Sequence, residues 1–242
     1  MLVKTIREKL ETFAPLNLAE SWDNSGWQVK FDENVDVNEI LLTVSVTSDV
    51  IDFAIENDFK FIVAHHPIIF PSIKKIDDKI LLNAIKNNIQ IYSLHTNLDK
   101  VATSKTLAAL FDFNNIININ DYVIVEKDAN VDINDLIFKI KQKLGIKNFI
   151  SYNFNPSKKF YNKVALCAGS GGDFISELDS NIDLYITSDI KYHQSLEKPN
   201  LTIFDVGHLN SEKPVLNCLK KLFQDENLKV TIYNELSNAK II

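Results

Sequence analysis

The chain has 242 residues, 45% hydrophobic and 24% charged, with a formal net charge of −6. That composition excludes a disordered chain, and the acidic balance disfavours nucleic acid as a partner, because phosphate binding needs a basic face. No apolar run approaches the roughly 20 residues that span a bilayer, and no apolar leader opens the chain, so the expected protein is cytoplasmic and makes no membrane contact.

Taken in order, Val3, Ile6, Leu10 and Phe13 fall at helical spacing, with Pro15 just beyond. Residues 21–26 read as a turn into a short strand over 27–31. A strand over 40–46 follows, then a helix to Glu56 capped by Ser48 or Asp49, and a strand over 59–64. Next come an amphipathic helix over 77–88 with Ile80, Leu81, Ala84 and Ile85 inward, a strand over 89–94 and a helix over 104–111. The rhythm weakens at 114–120. It resumes with a strand over 121–127, a helix over 133–144 stopped by Gly145, and a strand over 148–154. A strand over 160–168, a glycine-rich loop at 169–172, a short helix over 173–178 and a strand over 182–187 come after. The last elements are a helical turn over 190–196, a strand over 201–206, a helix capped by Ser211 that runs to about Phe223, and a strand over 229–233. Strands alternating with helices of this length specify an α/β fold with mixed, largely parallel sheets. The weak stretch divides it into a first lobe, 1–120, and a second, 121–242, with approximate boundaries that allow the lobes to interleave. Cys167 and Cys218 have no CxxC partner and sit in apolar segments, as buried free thiols do.

The second half carries traces of the first. Shifting by 123 residues lays Phe61-Ile62-Val63-Ala64 on Leu184-Tyr185-Ile186-Thr187 and His65-His66 on Ser188-Asp189. Shifting by 113 lays His95 on His208 and Asp99 on Glu212. A duplication would give two related lobes whose polar strand ends face one cleft, where ligands of open α/β sheets collect.

Four of the five histidines, His65, His66, His95 and His208, stand just beyond predicted strand ends, and His193 follows another by a few residues. Imidazole beside carboxylate suits Zn, Fe, Mn, Ni or Co. In Val63-Ala64-His65-His66-Pro67 the adjacent histidines point to opposite sides of an extended chain, serving two ions, or one ion across a bend. In His95-Thr96-Asn97-Leu98-Asp99, read as a loop, Asp99 is the anionic ligand for a divalent ion. His95 is open to three roles: ligand, partner of a ligand, or acid/base. In Gly207-His208-Leu209-Asn210-Ser211-Glu212, glycine permits a sharp exit from the strand, and Glu212 at a helix start is held ionised by the macrodipole. The 169–172 loop reads equally as an anion cradle or a tight turn. In the 187–193 segment, Ser188 or Asp189 caps a helix, or the polar groups and His193 meet substrate or move a proton.

In this order the segments resemble the NIF-three-like dinuclear metal-centre family, homologues of a type-two GTP cyclohydrolase. Trp22-Asp23-Asn24-Ser25-Gly26-Trp27-Gln28-Val29 is similar to its N-terminal signature, and the HHP, HTNLD, AGSGG, TSDIKYH and GHLNSE segments follow in the family's order. The resemblance implies that His65, His66, Asp99, His208 and Glu212 hold two divalent metal ions per chain, with Glu212 bridging and His95 behind the ligands. It also implies two α/β lobes, a ring-shaped homohexamer and a metal-dependent hydrolase of GTP cyclohydrolase or phosphoesterase type, acting on a small nucleotide-like substrate. His95 and His193 are then the candidate proton-transfer groups. A non-catalytic metal-handling or regulatory protein is the alternative.

Overall fold

The computed structural model describes residues 1–70 and 73–237. In chain order its first elements are α1 (Val3–Phe13), β1 (Gly26–Val29), β2 (Glu39–Thr43), α2 (Ser48–Glu56), β3 (Phe61–Ala64), α3 (Lys79–Lys86), β4 (Gln90–Ser93) and α4 (Thr96–Leu98). A π-helical turn, Asp99–Thr103, leads into α5 (Ser104–Leu110). Then come β5 (Ile116–Asn118), β6 (Ile124–Glu126), β7 (Val131–Asp132), α6 (Ile133–Leu144), β8 (Ile150–Tyr152), β9 (Phe160–Tyr161), β10 (Val164–Ser170), β11 (Leu184–Ser188), α7 (Tyr192–Glu197), β12 (Thr202–Asp205), α8 (His208–Glu212), α9 (Val215–Lys221) and β13 (Lys229–Ile232). The fold is mixed α/β.

Two compact units emerge. Met1–Val101 with Leu216–Leu236 makes the first, and Ala102–Val215 lies in the second, so the chain leaves the first unit and returns to it. In the first unit the sheet order is β1-β4-β3-β2-β13. Strands β2, β3, β4 and β13 run parallel, and β1 pairs antiparallel with β4. In the second the order is β5-β6-β10-β11-β12-β8, with β10, β11 and β12 parallel and β8 antiparallel on β12. The order β1-β4-β3-β2 in one unit therefore repeats as β8-β12-β11-β10 in the other. The 123-residue shift matches the middle strands β3 and β11, and the 113-residue shift matches β4 and β12.

The central parallel strands β3 and β11 are buried along their whole length, which is why 61–64 and 184–186 read as apolar runs. In the second unit Val164, Leu166, Leu184 and Ile186 enter one core with Phe111, Ile140 and Phe204. Their neighbours Ala165, Cys167 and Tyr185 enter the other with Ile175 and Ile203. In the first unit Leu41, Ile62, Ala64 and Ile91 pack with Val50, Leu81 and Ala84 of the two helices. Neither cysteine is in a disulfide; Cys167 is buried and Cys218 half-buried. Among the described residues no helix is long and apolar enough to cross a membrane.

The helix stops share one device. After α2, α3 and α5 the chain turns through Asp58, Asn88 and Asp112, all with left-handed φ of 55–63°. The following N–H of Phe59, Ile89 or Phe113 reaches back five residues, to the carbonyl of Ala54, Ala84 or Ala108, and each of those apolar side chains enters the core. This is glycine's usual position, filled by Asp and Asn in a chain with only 6 glycines. Gly145 stops α6 in the same way at φ 67°. A Cβ there would meet nothing within 4 Å. Gly145→Ala should therefore lose about 1–2 kcal/mol through backbone conformation alone, read as a lower urea midpoint with an unchanged m-value.

Three local expectations are corrected. The side chain that caps α2 is Thr47, which accepts from Val50 N–H at 3.3 Å, rather than Ser48 or Asp49. Residues 96–103 are helical rather than a loop, since Leu98 and Asp99 both donate to the His95 carbonyl. Ser211 lies inside α8, so Glu212 ends a short helix instead of opening a long one, and the macrodipole argument for its charge lapses.

Candidate metal centre

In the first unit β3 ends at Ala64 and delivers His65 and His66. The extended register continues past the strand, because His65 N–H donates to the Thr43 carbonyl and His66 N–H to the Val44 carbonyl. His65 is wholly buried. Its Nδ1 is 2.8 Å from the Leu94 carbonyl, which only accepts, so that nitrogen carries the hydrogen and Nε2 is turned the other way. Nε2 lies 3.4 Å from Asp99 Oδ1. Asp99 is placed there by the π-helical turn, an irregularity that widens the helix by one residue. His66 Nδ1 is 2.9 Å from Ser45 Oγ.

His95 closes the group. Its ring centroid is 5.5 Å from that of His65 and 5.6 Å from that of His66, which are 5.0 Å from each other. Asp23 holds it, with Oδ1 accepting from His95 Nδ1 at 2.8 Å. The same carboxylate accepts from Thr96 Oγ1, Thr96 N–H and Ser25 Oγ. Burial by itself would raise the Asp23 pKa, but the bonds from His95, Thr96 and Ser25 outweigh it and hold the carboxyl well below the usual range. The turn predicted over 21–26 is thus a support for His95.

In the second unit Gly207, at φ 86°, turns the chain out of β12 and presents His208. His208 Nδ1 is 2.5 Å from Asp189 Oδ2 and Nε2 is 3.0 Å from Glu212 Oε1, one helical turn on. Burial would lower its pKa, but hydrogen bonds to Asp189 and Glu212 push it up to about 10. Glu212 is buried. Its carboxylate lies against Gly169, whose Cβ, if present, would stand 2.3 Å from Oε1. Gly169 is fixed from both sides. Its N–H donates to Ser211 Oγ at 2.9 Å and its carbonyl accepts from Ser188 Oγ at 2.5 Å.

The 169–172 segment is therefore a close-packed strand end. A Cβ at Gly171 would fall 2.1 Å from Thr187 Oγ1, and one at Gly172 would fall 2.3 Å from Gln194 Oε1. Neither Ser188 nor Asp189 caps α7, since their side chains are engaged with Gly169 and His208. His193 is exposed on α7. The sequence reading missed Asp23 and Asp189 as supports for histidines. For Asp189 a signal existed: the 123-residue shift lays it on His66.

A family profile described as Duf34/NIF3 (NGG1p interacting factor 3) matches residues 1–238. The chain belongs to this family. It is 31% identical to a Helicobacter pylori protein named GTP cyclohydrolase 1 type 2, covering 100% of this chain and 99% of that one. It is 33% identical to a GTP cyclohydrolase 1 type 2 homolog of Clostridium acetobutylicum, covering 90% and 88%. Among solved structures, reduced HcgD from Methanocaldococcus jannaschii aligns at a TM-score of 0.85 and 25% identity over 97% of this chain and 98% of that one. A hypothetical protein of Staphylococcus aureus, at 22% identity and a TM-score of 0.87 over 100% and 99%, supports the fold.

Proposed function

We propose that His65, His66, Asp99, His208 and Glu212 hold two divalent metal ions, with Glu212 bridging, and that the protein is a metal-dependent hydrolase. One observation carries this reading: His65, His66 and His208 each have Nδ1 engaged by an oxygen, from Leu94, Ser45 and Asp189 respectively. Fixing one ring nitrogen in this way aims the other, and it is the arrangement that supports metal-bound histidines generally. A carboxylate oxygen stands near Nε2 in each unit, from Asp99 beside His65 and from Glu212 beside His208. His65, His66 and Glu212 each offer a ligand atom suited to a metal ion. A donor set of imidazole and carboxylate without thiolate fits Zn, Fe, Mn, Ni or Co.

Paired ions would supply a water of lowered pKa and charge stabilisation at the electrophile. The residues do the rest. Asp23 orients His95 beside His65 and His66, where it can hold or pass a proton, and Asp189 orients His208. The names of the bacterial relatives point to ring opening of a guanine nucleotide, for which activated water is also the requirement. His193 as a second proton-transfer group, a small nucleotide-like substrate and assembly into a homohexamer belong to the same reading.

Elemental analysis of protein loaded with each metal in turn should give about two ions per chain, and Asp99→Ala should lose at least one. Asp189→Ala should weaken affinity about 10–100-fold, as loss of an orienting partner does. Turnover of GTP, other nucleotides or generic phosphoesters should disappear in Glu212→Ala. Full metal loading without turnover of any of these would favour the metal-handling alternative. Wild-type protein that takes up no divalent ion would end the proposal.

A further inference from the structure

Trp22 and Phe70 are large aromatic side chains left 61% and 52% exposed. Exposed aromatics are common singly, but these two meet, with ring centroids 6.0 Å apart at 77°. Each also stands edge-on to His95, at 6.4 Å and 78° for Trp22 and 6.5 Å and 77° for Phe70. His95 in turn abuts both His65 and His66. An apolar corner therefore opens to solvent directly beside the proposed metal ligands.

The corner is also pre-set. Asn24 Nδ2 donates to the Ile69 carbonyl at 2.8 Å, and Ile69 N–H donates to Gln28 Oε1 at 3.0 Å, so the backbone beside Phe70 is tied to the turn that carries Trp22. That turn is anchored again through Asp23, with four of its hydrogen bonds running to His95, Thr96 and Ser25. Anchoring the backbone beside two aromatic rings that stay more than half exposed brings little burial in return. It does lower the ordering cost of binding a flat ring.

We infer that Trp22 and Phe70 form the substrate-binding corner of this site and receive a planar heteroaromatic ring of nucleobase size. Because the two rings already touch at nearly a right angle, the ligand ring lies on the open face of one and meets the other edge-on, a favourable arrangement of aromatic quadrupoles. Recognition by stacking tolerates any such ring.

The inference rests on the metal reading, and two readouts keep the two apart. Trp22 and Trp27 are the chain's two tryptophans, so Trp27→Phe isolates the emission of Trp22. Metal-loaded Trp27→Phe protein titrated with guanosine and with adenosine should show saturable quenching, and ribose 5-phosphate should give none. Adding Phe70→Ala should weaken the binding of both nucleosides about tenfold, with metal content by elemental analysis unchanged. Trp22→Ala, followed by equilibrium dialysis of the nucleosides, should do the same. Fully loaded protein with no saturable quench, or with nucleoside affinity untouched by both substitutions, overturns the corner and leaves the metal reading standing. Emission indifferent to nucleosides but shifting with protein concentration assigns the corner to a second copy of the chain and also overturns it. Protein that takes up no divalent ion removes the metal reading itself.

Discussion

Asp23→Ala should cost about 2–4 kcal/mol of folding stability, an effect of the size expected when the acceptor of several part-buried hydrogen bonds is removed. The Asp23 side chain is 0% exposed. Its two oxygens take five hydrogen bonds, from His95 Nδ1, Asn24 N–H, Ser25 Oγ, Thr96 N–H and Thr96 Oγ1. Truncation leaves part-buried donors without their acceptor, and each stranded donor costs about 1–3 kcal/mol before relaxation. Asp23→Asn should fall between wild type and alanine, since its amide keeps one acceptor and turns two hydrogens towards groups that also donate.

The pH dependence has a definite sign. The folded pKa of Asp23 is depressed from 3.8, so its contribution is fully present above that value and is lost as pH falls below it. Urea melts of wild type and Asp23→Ala should differ most near neutrality and converge in acid. A difference below about 1 kcal/mol at pH 7 would show that these bonds add little beyond an ordinary surface turn.

Gly169→Ala should remove metal binding while leaving a folded protein. Gly169 has φ 72°, and its missing Cβ leaves room for the Glu212 carboxylate, 2.3 Å from where that carbon would be. The backbone cannot retreat easily, because Ser211, Ser188 and Thr187 hold its N–H and carbonyl. The softer partner is the Glu212 side chain, which must rotate away and so surrender its position beside His208 Nε2. The left-handed backbone adds about 1–2 kcal/mol of strain. Elemental analysis should therefore show metal loss far out of proportion to the fall in urea midpoint. Retention of wild-type metal content would mean that Glu212 is dispensable as a ligand.

Much of the architecture was legible because parallel strands buried on both faces leave an apolar run that turns and caps punctuate. The segments 61–64 and 184–187 could hardly be read otherwise. The stop at Gly145 was equally clear, since only a left-handed residue closes such a helix economically. The ends of α2, α3 and α5 also fell within two residues of the expected ones, although Asp58, Asn88 and Asp112 rather than glycine supply the left-handed turn. The helix around Glu212 was misplaced by its local signals. Ser211 and Pro214 imitate a helix start, yet the chain is already helical from His208 because Gly207 turns it sharply.

By itself the sequence determined the α/β class, the strand ends at which histidines and carboxylates gather, and, through its ordered motifs, the family. Those properties are local, written in periodicity and in residue type at a given spacing. Only the tertiary structure decided which oxygen each histidine ring would meet. Asp23 and His95 are 72 residues apart and His65 and Leu94 are 29 apart, so no short-range pattern records either pair. The same holds for Gly169 and Glu212, which form one feature because β10 and α8 pack together. The geometry of the site lies in these long-range contacts, since one ring nitrogen is aimed only when the fold has occupied the other.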